Sequence, residues 1–255
     1  MRSFLLFLSG GLVAVGVLLA AGVTAPAGVA TSLDMSGPSD KVALGKSIRA
    51  YLLANPEVLV EAMQELERKQ DSQRDTTAQK AMQQHDSELL RDPESPIDGN
   101  PDGDVTIVEF SDYQCPYCKR AHQAVKSVAA ADGKVRIVRK DLPILGEPSR
   151  IAAFAALASR SQGKHSAFHN ALMEYNGKLD RDRIMEIAGS VGLDVPKLQQ
   201  DMEDPKLKQI IERNSALAAA LGVRGTPAFV IGKQFVPGAV DADALKQLIA
   251  DARKG

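Results

Sequence analysis

The chain opens on an apolar block. No charged residue stands between Arg2 and Asp34, and Phe4 to Val23 is almost wholly apolar. With a basic start and the small-x-small site Ala25-Pro26-Ala27, residues 1–27 are expected to be an export signal. The alternative is an uncleaved N-terminal anchor, since a spanning helix takes about 20 apolar residues. Either reading places the rest of the chain outside the cytosol, where a disulfide persists.

Farther along, Ile48, Leu52, Leu59, Met63 and Leu66 recur at helical spacing. Asn55-Pro56 interrupts that stripe and predicts a fresh helix start, with Asn55 as N-cap and Pro56 in the first turn. Residues 68–92 are polar and read as an exposed helix or a flexible arm. The run Pro93, Pro96, Gly99, Asn100, Pro101 and Gly103 marks a boundary.

Beyond it the period changes. Val105 to Phe110 and Val135 to Val138 are strand candidates flanking a helix over 116–131, a β-α-β unit. A helical block follows, with helices expected over 151–157, over 165–175, from the cap Asp180 to Val191, and from Asp204-Pro205 to Leu221. Strands return at 228–231 and 234–236 around a Gly232-Lys233 turn, and a last helix is capped by Asp241 or Asp243.

Composition narrows the function classes. Lys plus Arg number 31 against 32 Asp plus Glu, so the basic footprint of a nucleic-acid binder is absent. The two cysteines, Cys115 and Cys118, are too few for a disulfide scaffold or a four-thiolate zinc site. Each lies where a strand gives way to a helix, and Cys115 falls at the helix N-terminus. Unpaired N–H groups there favour a thiolate, which makes Cys115 the nucleophile and Cys118 the resolving thiol. Cys115 is expected to be the exposed thiol and Cys118 the shielded one. Pro116 suits a first turn because it needs no N–H partner. His122, one turn beyond Cys118, is a candidate third zinc ligand, although a histidine so placed is more often a surface residue. Two soft thiolates also suit Cu(I), so copper binding by Cys115 and Cys118 stands as the rival reading. Glu109 sits mid-strand where an apolar residue is expected, which marks it as a proton relay or as a solvent-facing side chain. The Thr226-Pro227 pair precedes a returning strand.

Cys115-Pro116-Tyr117-Cys118 after Val-Glu-Phe-Ser-Asp-Tyr-Gln, with Gly225-Thr226-Pro227-Ala228-Phe229 near the end, resembles the DsbA-like thiol-disulfide oxidoreductases. The likeness covers residues 93–255 and implies an α/β, thioredoxin-like fold with a helical insertion at about 147–221. It implies a periplasmic enzyme with no organic cofactor, whose redox group is the Cys115–Cys118 disulfide. It also implies a cis Thr226–Pro227 bond, substrate contacts from Pro116, Tyr117, Thr226 and Pro227, and Glu109 as a buried acid with Lys140 as its basic companion. Tyr117 departs from the best-known members, which carry His there, so their strongly oxidising poise does not carry over.

The segment Ile48 to Leu59 is similar to the region preceding the catalytic domain in ScsC-like and Com1-like proteins. Residues 28–92 are therefore expected to form a helical oligomerisation segment and linker, giving a homo-oligomer, a trimer by preference. Several Cys115 thiols around one substrate would act as a protein-disulfide isomerase, with oxidase or reductase action as the variants. The implied partners are proteins with thiols or disulfides and a membrane redox protein of the DsbB or DsbD/ScsB type.

Overall fold

The computed structural model describes residues 38–254, and the expected signal or anchor lies outside them. The chain divides into two compact units, one through Leu59 and one from Val60.

In the first unit, α1 (Pro38–Ala54) stops at the Asn55-Pro56 step. Asn55 does not cap the next helix as expected. Its backbone N–H and its Nδ2 both donate to the Tyr51 carbonyl, at 2.8 and 2.9 Å, so it closes α1 instead. The reason is local: the last carbonyls of a helix lack partners, and an Asn amide can donate to one.

Helix α2 (Glu57–Gln84) then runs unbroken for 28 residues. Its polar composition suggested an exposed helix or a flexible arm. It is a helix and mostly exposed as far as Thr77, yet its C-terminal end buries Ala78, Ala81 and Met82, and α3 (Asp86–Leu90) buries Leu89. Ala81, Met82 and Leu89 join a core layer with Val108, Phe110, Leu217 and Val230. The second unit thus begins well before the Pro/Gly cluster. Small alanines make this invisible to a search for large apolar residues, because they allow close approach while adding little hydrophobicity.

The second unit is built on a five-stranded sheet in the order β1-β3-β2-β4-β5. Strand β2 (Val105–Ser111) leads into α4 (Pro116–Asp132), which crosses to β3 (Val135–Asp141), parallel to β2. Strands β4 (Ala228–Ile231) and β5 (Gln234–Pro237) are antiparallel additions, and β1 (Ile97–Gly99) pairs with β3 from within the breaker cluster. At the β4–β5 turn Gly232 has φ 58°, and a Cβ there would lie 2.8 Å from the Ala252 Cβ. Only glycine meets both demands.

Alternation along β2 divides the core. Val105 and Ile107 pack towards α4 and α10 (Ala242–Lys254), whereas Val108 and Phe110 pack towards α3 and α9 (Pro205–Ala220). Between β3 and β4 the insertion comprises α5 (Glu147–Ala158), a 3-10 turn (Ser159–Gln162), α6 (His165–Glu174), α7 (Arg181–Ser190), α8 (Val195–Asp201) and α9. Asp180 and Asp204 cap α7 and α9 as expected, and Asp241 caps α10 by accepting from Asp243 N and Ala244 N. Helix α8, which the sequence reading passed over, is capped in the same way by Asp194, which accepts from Lys197 N at 3.0 Å.

Candidate active site

The strand-to-helix junction sets the two thiols apart. Cys115 is the N-cap of α4, with extended backbone and Pro116 in the first turn. Cys118 is one turn in and has no solvent exposure. Cys115 is the more accessible of the two, but at 4% exposed the residue is buried rather than the open thiol expected. Thr226 covers it: the Cys115 thiol donates to the Thr226 carbonyl at 3.2 Å, and the Thr226–Pro227 bond is cis, as the resemblance implied.

The same junction separates their acidities. The bond from the Cys118 thiol does most to lower Cys115, opposed by burial and aided by Thr226 and by the backbone N–H groups of Cys118 and Tyr117. Its pKa falls to about 5. Cys118 is pushed upward, first by that bond and then by burial. At neutral pH, therefore, one sulfur is a nucleophile and the other holds its proton. Both are free thiols.

Asp112, which the sequence reading did not single out, organises the approach to this pair. Its carboxylate accepts from Gln114 N at 2.8 Å, Ser149 Oγ at 2.7 Å, Ile144 N at 2.8 Å and Leu145 N at 3.0 Å. Its own N–H lies 3.5 Å from the Cys118 sulfur. One buried carboxylate thereby ties the cysteine turn to the loop before α5.

Pro116 and Tyr117 are exposed beside Cys115, with the Arg120 guanidinium 4.5 Å from the Tyr117 ring centroid. They border a groove of about 710 Å³ that continues to Gln123, Met173 and Asn176.

Glu109 is wholly buried, which removes the solvent-facing alternative. Its partner is Arg139, directly across the β2–β3 ladder, and not Lys140. Alternation is again the reason. Lys140 points to the opposite face of the sheet, where its Nζ pairs with Asp92 at 3.0 Å. Arg139 also reaches Asp98, at 2.8 Å. Burial raises the pKa of Glu109, opposed by the Arg139 charge.

Around this pair lies a cluster the sequence reading missed. His122 is no surface residue: it has no solvent exposure, as has His169 on α6, and His165 is buried too. The ring of His169 sits edge-on to Tyr113 and His122, with centroids 5.4 and 5.3 Å away, and stacks on His165 at 5.8 Å. Tyr113 Oη is 2.9 Å from His169 Nδ1. The available signal was spacing, Cys118 to His122 and His165 to His169, each four apart on one helix face.

A profile for the "DSBA-like thioredoxin domain" matches residues 106–250, and one for the "Copper resistance protein ScsC N-terminal domain" matches residues 40–73. The chain is 49% identical to a thioredoxin-like oxidoreductase from Silicibacter pomeroyi, covering 66% of this chain and 98% of that one, with a TM-score of 0.65. It is 30% identical to a linker-deletion mutant of Proteus mirabilis ScsC, covering 86% and 97%, also with a TM-score of 0.65. Among curated proteins, a Na(+)/H(+) antiporter NhaA of Herminiimonas arsenicoxydans is 30% identical over 166 residues. That stretch is 64% of this chain but only 27% of the antiporter. Among the described residues no helix is long and apolar enough to cross a membrane. An acidic thiol at a helix N-terminus, a shielded second thiol, a cis-proline loop over both, and these matches converge: the chain belongs to the DSBA-like thioredoxin family.

Proposed function

We propose that this protein is an exported disulfide isomerase that works in the periplasm as an oligomer, assembled through its N-terminal helices. The observation carrying the proposal is a run of exposed large apolar side chains in the segment that resembles the ScsC N-terminal domain. Ile48, Leu53, Leu59, Met63 and Leu66 are each about half exposed or more. Such a stripe gains stability by packing on copies of itself.

Chemistry at each active site follows from the two acidities. The Cys115 thiolate attacks a substrate disulfide, forming a bond to one substrate sulfur and releasing the other as a thiolate. In isomerisation that released thiolate attacks elsewhere in the substrate, and Cys115 is finally expelled unchanged. When this stalls, Cys118 displaces the substrate, leaving the Cys115–Cys118 disulfide. Pro116, Tyr117, Thr226 and Pro227 frame the substrate at Cys115, and Glu109 acts as a buried proton relay. The sulfurs carry the electrons, so no organic cofactor is needed, and a membrane protein of the DsbB or DsbD/ScsB type resets their state.

The rival reading is Cu(I) held by Cys115 and Cys118, whose two soft sulfurs suit a linear site. Among the described residues no group of three or more His, Cys, Asp or Glu is arranged to hold a metal. One set of measurements separates the readings: light scattering, scrambled-ribonuclease refolding and copper titration, on the wild-type chain and on Leu59→Asp/Met63→Asp. An oligomer that reshuffles disulfides, and a monomeric variant that exchanges thiols without reshuffling, is the expected result. A monomeric wild type that reshuffles equally well overturns the oligomeric reading. Stoichiometric copper binding with no exchange selects the rival.

A further inference from the structure

The buried side-chain polar atoms that lack a hydrogen-bond partner among the described residues gather in one place. They belong to Asp98, Glu109, Ser111, Asp141 and the three histidines His122, His165 and His169. Buried polar atoms are ordinarily paired, so a concentration of unpaired ones next to a reactive thiol calls for a role. These residues lie between the sheet and helices α4 and α6, on the side where Cys118 is buried.

Within the cluster one residue lies one helical turn from the buried thiol and close to a partly exposed carboxylate. His122 is four residues after Cys118 on α4, so their side chains are neighbours on one face, with Cβ atoms roughly 5–6 Å apart. Both are fully buried. Neither ring nitrogen of His122 has a hydrogen-bond partner, yet its Nε2 is 3.9 Å from Glu174 Oε1. Glu174 is 41% exposed and shares that oxygen with Lys126 Nζ, at 2.6 Å. His169, anchored by Tyr113, packs edge-on against the imidazole of His122 and fixes its plane.

We propose that His122 and Glu174 form the path by which the Cys118 proton reaches solvent, with His169 and Tyr113 as positioning residues for the His122 ring. The proposal rests on the thiol-disulfide reading. When Cys115 is bonded to a substrate sulfur, the Cys118 thiol gives its proton to the neutral imidazole of His122. The Cys118 thiolate then attacks Cys115 Sγ. The Cys118–Cys115 bond forms, the bond from Cys115 to the substrate breaks, and the substrate sulfur leaves with the electron pair as a thiolate. Cys118 and Cys115 are thereby oxidised and the substrate reduced. The imidazolium passes its proton to the Glu174 carboxylate, which releases it to water. In the reverse direction the same route returns a proton to Cys118.

The electrostatics fit this order. The largest influence holding the proton on Cys118 is its bond to the Cys115 sulfur, and that changes once Cys115 is bonded to a substrate. Burial, then Arg139 on β3, depresses His122 to about 4, so the ring is a neutral acceptor at working pH. Glu174 on α6 and Asp98 on β1 oppose that shift, while Lys126 on α4 adds to it. His169 on α6 is itself held neutral by burial. A weakly basic His122 does not retain the proton, and Glu174 is its outlet. Glu109, wholly buried against Arg139, has no exposure of its own and exchanges only with neighbours.

The test follows each sulfur separately. Reduced protein is mixed with dithiobis(nitrobenzoate), a chromogenic aromatic disulfide, in a stopped-flow instrument. Attack by Cys115 releases one thionitrobenzoate, and closure by Cys118 releases the second. Because the leaving group is so good, proton loss from Cys118 limits the second release. In Glu174→Gln, a surface change that leaves packing intact, and in His122→Ala, the first release should keep its rate. The second should slow about 10- to 100-fold and lose its pH dependence. Added imidazole should restore it in His122→Ala alone. Variants whose second release matches wild type at every pH overturn the relay. So do variants in which both releases slow equally, since that marks a structural effect. A wild-type chain that never releases the second thiolate overturns the exchange reading and the relay with it.

Discussion

Glu109 and Arg139 stand opposite each other across the β2–β3 ladder and form an ion pair with both side chains buried, in a site Arg139 shares with Asp98. One cation therefore holds two carboxylates out of water. Removing the cation should be far worse than removing one anion. Arg139→Met is expected to lower the unfolding free energy by about 3–5 kcal/mol, the ordinary cost of leaving a buried partner uncompensated. Glu109→Gln should cost much less, because Asp98 still neutralises the guanidinium. Urea unfolding of the two variants checks the order, and equal losses would contradict it.

Asp112 offers a second contrast. Its carboxylate accepts four hydrogen bonds, from Gln114, Ser149, Ile144 and Leu145. In Asp112→Asn the new amide group would face N–H donors, so at least one bond becomes a clash of donors. A loss of at least about 2 kcal/mol is expected in urea unfolding, since bonds to a charged acceptor are the stronger kind. Because the same residue's N–H approaches Cys118, alkylation of Cys118 in the folded state should also speed up. A variant as stable as wild type would show that the loop holds without this carboxylate.

The thiols should titrate far apart. Iodoacetamide labelling of Cys115 is expected to rise through a midpoint near pH 5, while Cys118 stays unlabelled at pH 8. Peptide mapping by mass spectrometry separates the two sites. Cys118→Ser should trap mixed disulfides with substrate, whereas Cys115→Ser should abolish exchange. Matching pH profiles for the two cysteines would refute the assignment of nucleophile and resolving thiol.

Acid should destabilise the fold through the buried histidines. His165 falls from its ordinary 6.5 to about 4, chiefly by burial, and His122 shifts the same way. A histidine with a depressed folded pKa contributes stability that is complete above pH 6.5 and lost as the pH falls through 4. For His165 the loss is up to about 3 kcal/mol. Asp141 works oppositely, since burial lifts it from 3.8 to about 7. Its contribution is complete below pH 3.8 and is lost as the pH rises through 7. Asp141→Asn should therefore gain more stability at pH 8 than at pH 5, while His165→Asn should flatten the fall below pH 6. Urea midpoints across this range decide both signs, and a His165→Asn curve that falls below pH 6 as steeply as wild type would count against a buried neutral imidazole at that position.

Local pattern by itself determined the order of most elements and the reactive pair. A strand running into Cys115-Pro116-Tyr117-Cys118 places the first sulfur at a helix N-terminus whatever surrounds it, because the N–H groups there are free by the geometry of the helix. Asp180, Asp204 and Asp241 announce their helices for the same reason: a capping carboxylate acts on its own next residues. What required the tertiary structure is set by distance along the chain and by sheet alternation. Which basic residue meets Glu109 depends on which face of β3 it occupies, so neighbours Arg139 and Lys140 have unrelated partners. Burial of Ala78, Ala81 and Met82 depends on layers assembled from β2, β4 and α9, so a polar-looking helix turned out to belong to the core. The histidine cluster needs α4 and α6 brought together across more than forty residues, and only that packing turns His122 from an ordinary helical side chain into a buried neighbour of Cys118.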